Sequence, residues 1–321
     1  MYILKFLDDN PLRVIIFLII MILNLGNKFD NLIFEKGFFD LPPKSSSGRK
    51  SRFFLHRIFK RYLRGILIKL KLQNLLIDSG IDTKWFKEFA TYWNKEFEGR
   101  PLKLPDFHFL HGSYRIKFQD NETPESPSIN QFLESYQNNN CIYMLFGAVR
   151  KYAYEPFSGF KVEKYLKHND TFLEYGCGYA PVSEFITKYS NKINIKILIA
   201  DINQINSHFA RWRLPKSVSF IPIQPFSDVN LKPETVDCIS LITVMEHLPD
   251  PINVVQNLTS ILKSGGVFIF DYILGDGDGQ DTIESVNQRP EVLDFIRKNY
   301  ILIEGEFLEN ESMGTTVCRK K

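Results

Sequence analysis

The chain has 321 residues but only four cysteines, Cys141, Cys177, Cys238 and Cys318, and none of them forms a CxxC pair. That scarcity argues against a disulfide framework and fits a reducing compartment. Long apolar runs are also missing. Residues 14–23 are unbroken apolar sequence between Arg13 and Asn24, short of the roughly 20 residues that cross a bilayer as a helix. No small-x-small cleavage site follows, so a signal-peptide reading has little support. Three readings of this run stay open: a buried or interfacial helix, a membrane-inserted segment and an unstructured start. Acids are the third absence. Between Asp40 and Asp78 there is no Asp or Glu, while ten lysines and arginines accumulate from Lys44 to Lys71.

What is present describes a folded protein. The 44% hydrophobic and 24% charged content belongs to a globular chain long enough for two structural units. The net charge of +3 says little, because the bases are unevenly placed. Residues 41–48, rich in proline and serine, read as a linker. Beyond it Leu55, Ile58, Phe59, Tyr62, Ile66 and Leu70 recur at helical spacing among the bases. A basic amphipathic helix of this kind lies on an anionic membrane surface or docks on the protein's own core, and the sequence supports both. Nucleic acid is the weaker partner. No zinc-finger, RRM or helix-turn-helix signature accompanies the bases, and so many large apolar residues suit lipid or core better than phosphate.

Thr83 is placed to cap a helix bearing Trp85, Phe89, Tyr92, Trp93 and Phe97, a stripe that reads as core. Pro101 and Pro105 end it. His108 and His111 then fall in a Phe-rich loop or strand, where packing is favoured over a metal site because no Cys or acidic cluster completes one. A helical pattern returns over residues 128–154. The expected organisation is an apolar segment and linker at 1–43, a basic, aromatic helical region at 44–157, and a third unit at 158–321.

That third unit alternates strand and helix patterns, which argues for a parallel sheet covered on both faces. Strands are expected at 172–175, 195–200, 217–223, 236–244 and 267–273. Helices are expected at 182–189, 203–213, 251–262, stopped by Gly265-Gly266, and 291–298. Two further strands, 301–307 and 315–319, are too close for a helical crossover and so form an antiparallel pair. The fold class is α/β: a doubly wound, seven-stranded, mostly parallel sheet with an antiparallel C-terminal hairpin, behind a mainly helical N-terminal region.

The chemistry begins at the first strand. Leu173-Glu-Tyr-Gly-Cys-Gly-Tyr-Ala180 runs from a strand through Gly176 and Gly178 into a helix whose first turn holds Pro181. Glycine lets backbone approach a ligand, and a helix start offers unpaired N–H groups. Asp201 follows the second strand, where a carboxylate can accept both hydroxyls of a ribose. Residues 236–251 supply an apolar strand ending in Met245-Glu246-His247. In this order, the glycine loop, Asp201, the Glu246-His247 loop and the Gly265-Gly266 turn resemble the class I S-adenosylmethionine-dependent methyltransferases, over roughly residues 161–321. Ala180 replaces the family's last glycine. A dinucleotide-binding dehydrogenase shares the acid, but its third glycine would fall at Pro181.

The resemblance implies S-adenosylmethionine as cofactor. Glu174, Gly176, Gly178 and Ala180 would cradle its methionine portion, Asp201 would hold the ribose, and Gln224, with Asp228 as runner-up, would lie near the adenine. Glu246 and His247 stand at the fourth strand's carboxyl edge as candidate catalytic residues. His247 is the candidate base, with a loop-ordering role as its alternative. Some relatives build a metal site from this Glu-His pair and an acid three residues earlier. Here that position is Thr243, so no metal is expected. The loop at 275–281 departs from a calcium loop, because Asn287 stands where the twelfth-position glutamate belongs. It reads as a flexible cover on the acceptor side. The expected activity is methyl transfer to an O or N acceptor on a small molecule, lipid or glycan precursor, in the cytoplasm, with the N-terminal region as a candidate membrane attachment. The alternative is a non-catalytic, membrane-associated binding protein that keeps the fold.

Overall fold

A computed structural model describes residues 84–98, 101–119, 131, 134, 136–137, 142–152, 158–224, 228–275 and 281–321. The apolar run at 14–23, the basic stretch and Thr83 lie outside the described residues. The chain divides into two compact units, Met1–Lys117 and Phe118–Lys321.

In the first unit, helices α1 (Lys84–Glu96) and α2 (Leu104–Gln119) are described. Of the expected aromatic stripe, Phe89 and Tyr92 are in the core and Trp93 is half-buried. Phe86, Phe89, Tyr92 and Phe107 are buried, and Phe89 meets Phe107 edge-on with ring centroids 5.3 Å apart. Phe97 stays exposed. His108 and His111 lie on α2, not on a loop or strand. The reason is that Pro105 falls in the helix's first turn, where its missing N–H costs nothing, so it opens α2 where the sequence pattern suggested a break.

The second unit holds the α/β sheet. Its helices are α3 (Ile142–Tyr152), α4 (Ser158–Glu163), α5 (Pro181–Tyr189), α6 (Ile205–Arg213), α7 (Pro251–Ile261) and α8 (Ile283–Asn299). Its strands are β1 (Thr171–Tyr175), β2 (Lys196–Asp201), β3 (Ser219–Pro222), β4 (Val236–Leu241), β5 (Leu262–Tyr272), β6 (Tyr300–Glu304) and β7 (Met313–Lys320). They lie in the order β3-β2-β1-β4-β5-β7-β6, and only β7 runs against its neighbours.

The near-continuous apolar strands are explained by burial on both faces. Leu173, Leu198, Ile239, Phe268 and Phe270 point to one side, against Val255 and Leu258 of α7 and Leu293 and Ile296 of α8. Their sequence neighbours Phe172, Ile197, Ile199, Cys238 and Ile269 point to the other, with Val162 of α4, Val182 and Ile186 of α5 and Ala210 of α6. Each such side chain withdrawn from water contributes about 1.5–3 kcal/mol, and a one-residue slip in any strand would exchange the two faces.

Two helix boundaries differ from the sequence expectation. Gly265 and Gly266 do not stop α7. That helix ends at Ile261, where Lys320 Nζ donates to the carbonyls of Thr259 (2.8 Å) and Leu262 (2.6 Å), so a cation from β7 satisfies its C-terminus. The glycines fall within β5, where the register against β4 jumps from Val236↔Leu262 to Cys238↔Val267. The helix expected at 291–298 begins eight residues earlier, at Ile283, capped by Thr282 Oγ1 accepting from Ser285 N (3.1 Å). Pro290 lies inside it. Such a proline costs about 3 kcal/mol in a free helix. Arg289, 1% exposed, offsets that cost by tying α8 to its surroundings. Its guanidinium donates to the carbonyls of Tyr272 (3.0 Å), Leu308 (2.7 Å) and Glu311 (2.6 Å) and stacks 4.4 Å from the Tyr272 ring. Substituting Arg289→Ala strands three carbonyls and opens a cavity; chemical denaturation should show a loss of about 3 kcal/mol or more.

Candidate active site

The strand order reverses between β1 and β4, and open parallel sheets bind ligands in the crevice outside such a reversal, at the strands' carboxyl ends. Two segments flank it, residues 176–180 after β1 and 243–247 after β4. They meet directly. Gly176, at φ +61°, faces Val244 so closely that a Cβ there would lie 2.5 Å from Val244 Cγ2. Gly178, at φ +52°, has open space where a Cβ would stand, so its backbone is exposed to an incoming ligand. Ala180 also adopts the left-handed conformation, at φ 56°, immediately before α5. The position where related loops place glycine thus keeps glycine's backbone geometry while carrying one methyl group.

Glu174 shapes this loop from beneath. Its two carboxylate oxygens accept from Val182 N (3.2 Å) and Ser183 N (2.7 Å), in the first turn of α5, where unpaired amides and the helix dipole favour an anion. Burial nevertheless raises the acid to about 7, with the Ser183 and Val182 hydrogen bonds opposing the shift. Asp201, the last residue of β2, reaches across to the loop. Its Oδ2 accepts from Gly178 N at 2.5 Å, and its Oδ1 accepts from Gln204 Nε2 at 2.9 Å. Burial pushes it up to about 6. The Ile202 amide and the Cys177 thiol also lean on this carboxylate. On the far side Arg213 pairs with Glu184 and donates to the Tyr179 carbonyl (3.4 Å), linking α6 to the loop and to α5. Sequence patterns gave no sign of Arg213, since its partners lie 29 and 34 positions away.

Gln224 lies two residues past β3 and is exposed. Asp228 is exposed as well, and its charge is felt by Tyr175 at the end of β1, together with that of Asp201. The runner-up residue is therefore electrostatically coupled to the glycine-loop side of the crevice.

Across the crevice, Met245–His247 forms a single 3-10 turn. Glu246 is buried, its Oε2 has no hydrogen-bond partner, and burial raises it to about 7, helped by the charges of Asp271 and Asp281 and opposed by His247. His247 Nε2 stands 3.8 Å from Glu246 Oε1, while its Nδ1 lies 3.1 Å from Asp281 Oδ1. Asp271, near the end of β5, accepts from Thr243 N at 2.6 Å and holds the start of the loop, where Thr243 has φ 58°. Neither Asp271 nor Asp281 was singled out as a site residue from the sequence. Asp271 lies within an apolar strand pattern, and Asp281 ends the glycine-rich loop read as a cover.

Residues 150–306 match the family described as a methyltransferase domain. These residues are a class I S-adenosylmethionine-dependent methyltransferase domain. Among curated proteins, the chain is 28% identical over 104 residues to ubiquinone biosynthesis O-methyltransferase of Histophilus somni (strain 2336), covering 32% of this chain and 44% of that one. It is 25% identical over 114 residues to sterol 24-C-methyltransferase of Candida albicans, covering 35% of this chain and 30% of that one. The chain thus spans less than half the length of either relative. A similar solved structure is a TehB-like SAM-dependent methyltransferase from Corynebacterium glutamicum, at TM-score 0.44 and 16% identity, covering 57% of this chain and all of that one.

The methyltransferase domain's own residues fit the cofactor. Gly178 leaves space above its backbone, Asp201 sets a carboxylate beside it, and Glu174 holds the loop in shape. The electrostatics of the acceptor side predict a stability effect. Glu246 is raised in the folded state from 4.5 to about 7, so its contribution is favourable at low pH and is lost as pH rises through about 7. Glu246→Gln removes a buried charge, so at pH 8 the variant should unfold at higher denaturant, by about 1–3 kcal/mol. Near pH 4.5 that advantage should vanish.

Proposed function

We propose that the chain transfers a methyl group from S-adenosylmethionine to an O or N acceptor on a small molecule, lipid or glycan precursor. The observation that supports this reading is the pairing of two loops across the strand reversal. One loop is braced by Glu174 and Asp201, and the other carries Glu246 and His247.

The bound cofactor supplies an electrophilic methyl group on a sulfonium. The protein supplies place and proton handling. Glu174 and the glycine loop orient the methionine end, Asp201 the ribose, and Asp228 or Gln224 the adenine edge. With the cofactor held in this way, its sulfonium would supply the methyl group to an acceptor oxygen or nitrogen presented beside Glu246 and His247. The acceptor's proton passes to His247 Nε2 and then to solvent. A base is needed where the acceptor starts protonated, as a hydroxyl does. Positioning in line and exclusion of water account for much of the remaining acceleration. One relative is named for ubiquinone biosynthesis and the other for a sterol, which supports a small-molecule acceptor here.

Calorimetry with S-adenosylmethionine and S-adenosylhomocysteine should show binding in the micromolar range. Asp201→Asn keeps the shape but removes the charge that accepts both hydroxyls, and should weaken binding at least tenfold. No binding by the wild type would refute the reading, and binding without turnover over a broad acceptor panel would favour a non-catalytic binding protein.

The same reading places the protein on the cytoplasmic side of a membrane, through the apolar run at 14–23 and the bases from Lys44 to Lys71. Among the described residues no helix is long and apolar enough to cross a membrane. The full chain should float with vesicles containing phosphatidylserine at low salt, and binding should fall as ionic strength rises. Equal recovery with neutral vesicles would rule out the electrostatic contribution.

A further inference from the structure

The sheet ends at β6, which pairs with β7 and, among the described residues, with no other strand. Its sequence, Tyr-Ile-Leu-Ile-Glu, carries three consecutive large apolar residues that face water. Ile301 is 56% exposed, Leu302 41% and Ile303 38%. An open edge invites another strand, and proteins commonly blunt it with a proline or a charge. Neither interrupts these three positions. The backbone is poised as well. Lys321 N donates to the Asn299 carbonyl at 3.0 Å, and the ladder continues as Tyr300↔Lys320, Ile301↔Arg319 and Leu302↔Cys318. Antiparallel pairs alternate between bonded and non-bonded, so Ile301 bonds to β7 while the N–H and C=O of Leu302 point to the open side. Tyr300 obeys the same alternation: its N–H donates to the Ile296 carbonyl of α8.

We infer that β6 is a self-association edge, through which two copies of this chain pair antiparallel about a two-fold axis at Leu302. The occupant is a second copy because the strand is complementary to itself. That pairing sets Leu302 against Leu302 of the second copy, and Ile301 against Ile303 of the second copy, twice by symmetry. Such cross-strand apolar pairs contribute about 0.2–1 kcal/mol each. The charges agree with this direction. Lys298 precedes the strand, while Glu304 ends it and Glu306 follows, with Lys298 and Glu306 both exposed. Glu304 already pairs with Lys164, which leaves Glu306 as the acid for Lys298 of the second copy. A parallel arrangement would bring like charges together instead. An isologous contact of this kind closes with two subunits. It also stays clear of the crevice outside β1 and β4, because β5 and β7 lie between β4 and β6. A five-residue strand offers less than the ~800 Å² per partner of a standard interface, so the association is of micromolar strength.

Sedimentation velocity of the full chain, from about 1 to 100 µM, should show a monomer–dimer equilibrium. Leu302→Lys should raise the dissociation constant about tenfold or more, with thermal unfolding unchanged because that side chain is already exposed. Lys298→Glu should weaken the dimer, and adding Glu306→Lys should restore it, a rescue that antiparallel self-pairing requires. Cysteine cross-linking tests the register. Facing residues of a bonded pair stand about 5.5 Å apart at Cα, within disulfide reach, so Leu302→Cys should give a covalent dimer under mild oxidation. Ile301→Cys meets its own copy only on the diagonal, about 7–8 Å away, and should cross-link only when mixed with the Ile303→Cys chain.

A monomer throughout that range, a dimer indifferent to Leu302→Lys, or cross-linking of Ile301→Cys alone would overturn the proposal. A monomer in which Leu302→Cys resists thiol labelling would mean that another part of the chain covers the edge, and would overturn it equally. None of these readouts uses cofactor or acceptor, so the proposal stands or falls separately from methyl transfer.

Discussion

The structure turns on a missing Cβ. Gly176 sits where β1 ends, at the point where strand order reverses, and Val244 from the loop after β4 fills the space a side chain would need. That close approach lets two loops from non-consecutive strands share one wall. Everything chemical depends on it: the glycine loop can lean on Glu174 and Asp201 from one side while Glu246 and His247 are presented from the other. The sheet supplies the rigidity. With both faces covered by helices and alternate side chains committed to opposite cores, the ends of β1 and β4 are held in register, and the loops inherit that precision.

Buried acids recur throughout the crevice, and they are treated differently. Glu174 is given two backbone amides, and Asp201 is given one amide and one side-chain amide. Glu246 has an oxygen with no partner and sits near two further acids. All three are raised by burial, Glu174 and Glu246 to about 7 and Asp201 to about 6. The first two acids hold backbone in place, so their desolvation cost is offset by organisation of the loop. Glu246 is opposed by the His247 charge and a backbone hydrogen bond, yet its Oε2 keeps no hydrogen-bond partner, and a buried acid perturbed in this way beside a crevice is a candidate functional group. Asp281 and Asp271 complete the arrangement by holding the imidazole and the loop's first amide.

Much of this was legible in the linear chain. The strand at 172–175, the two glycines, the acid after the second strand and the terminal strand pair each follow from local rules of turn geometry, periodicity and connection length. Their order supplied the family resemblance before any contact was known. Where local rules competed with tertiary ones, they failed. Gly265-Gly266 read as a helix stop, yet the helix ends earlier under a lysine from β7, and the helix expected to begin at 291 starts at Ile283, its Pro290 held inside by a buried arginine. His108 and His111 read as loop or strand after a Pro105 break, yet Pro105 opens a helix that carries both.

By itself, then, the sequence determined the fold class, the sheet's two-faced core and the loop at which a nucleotide-type ligand is received. These are encoded by alternation of apolar residues and by the few positions that tolerate a positive φ, both of which are local properties. Only the tertiary structure decided which distant side chains serve the site. Arg213 reaches Tyr179 and Glu184, Asp271 reaches Thr243, and Asp281 reaches His247 across 28 to 34 positions of chain. No periodicity announces such pairs, because they depend on where strands and helices place their ends in space.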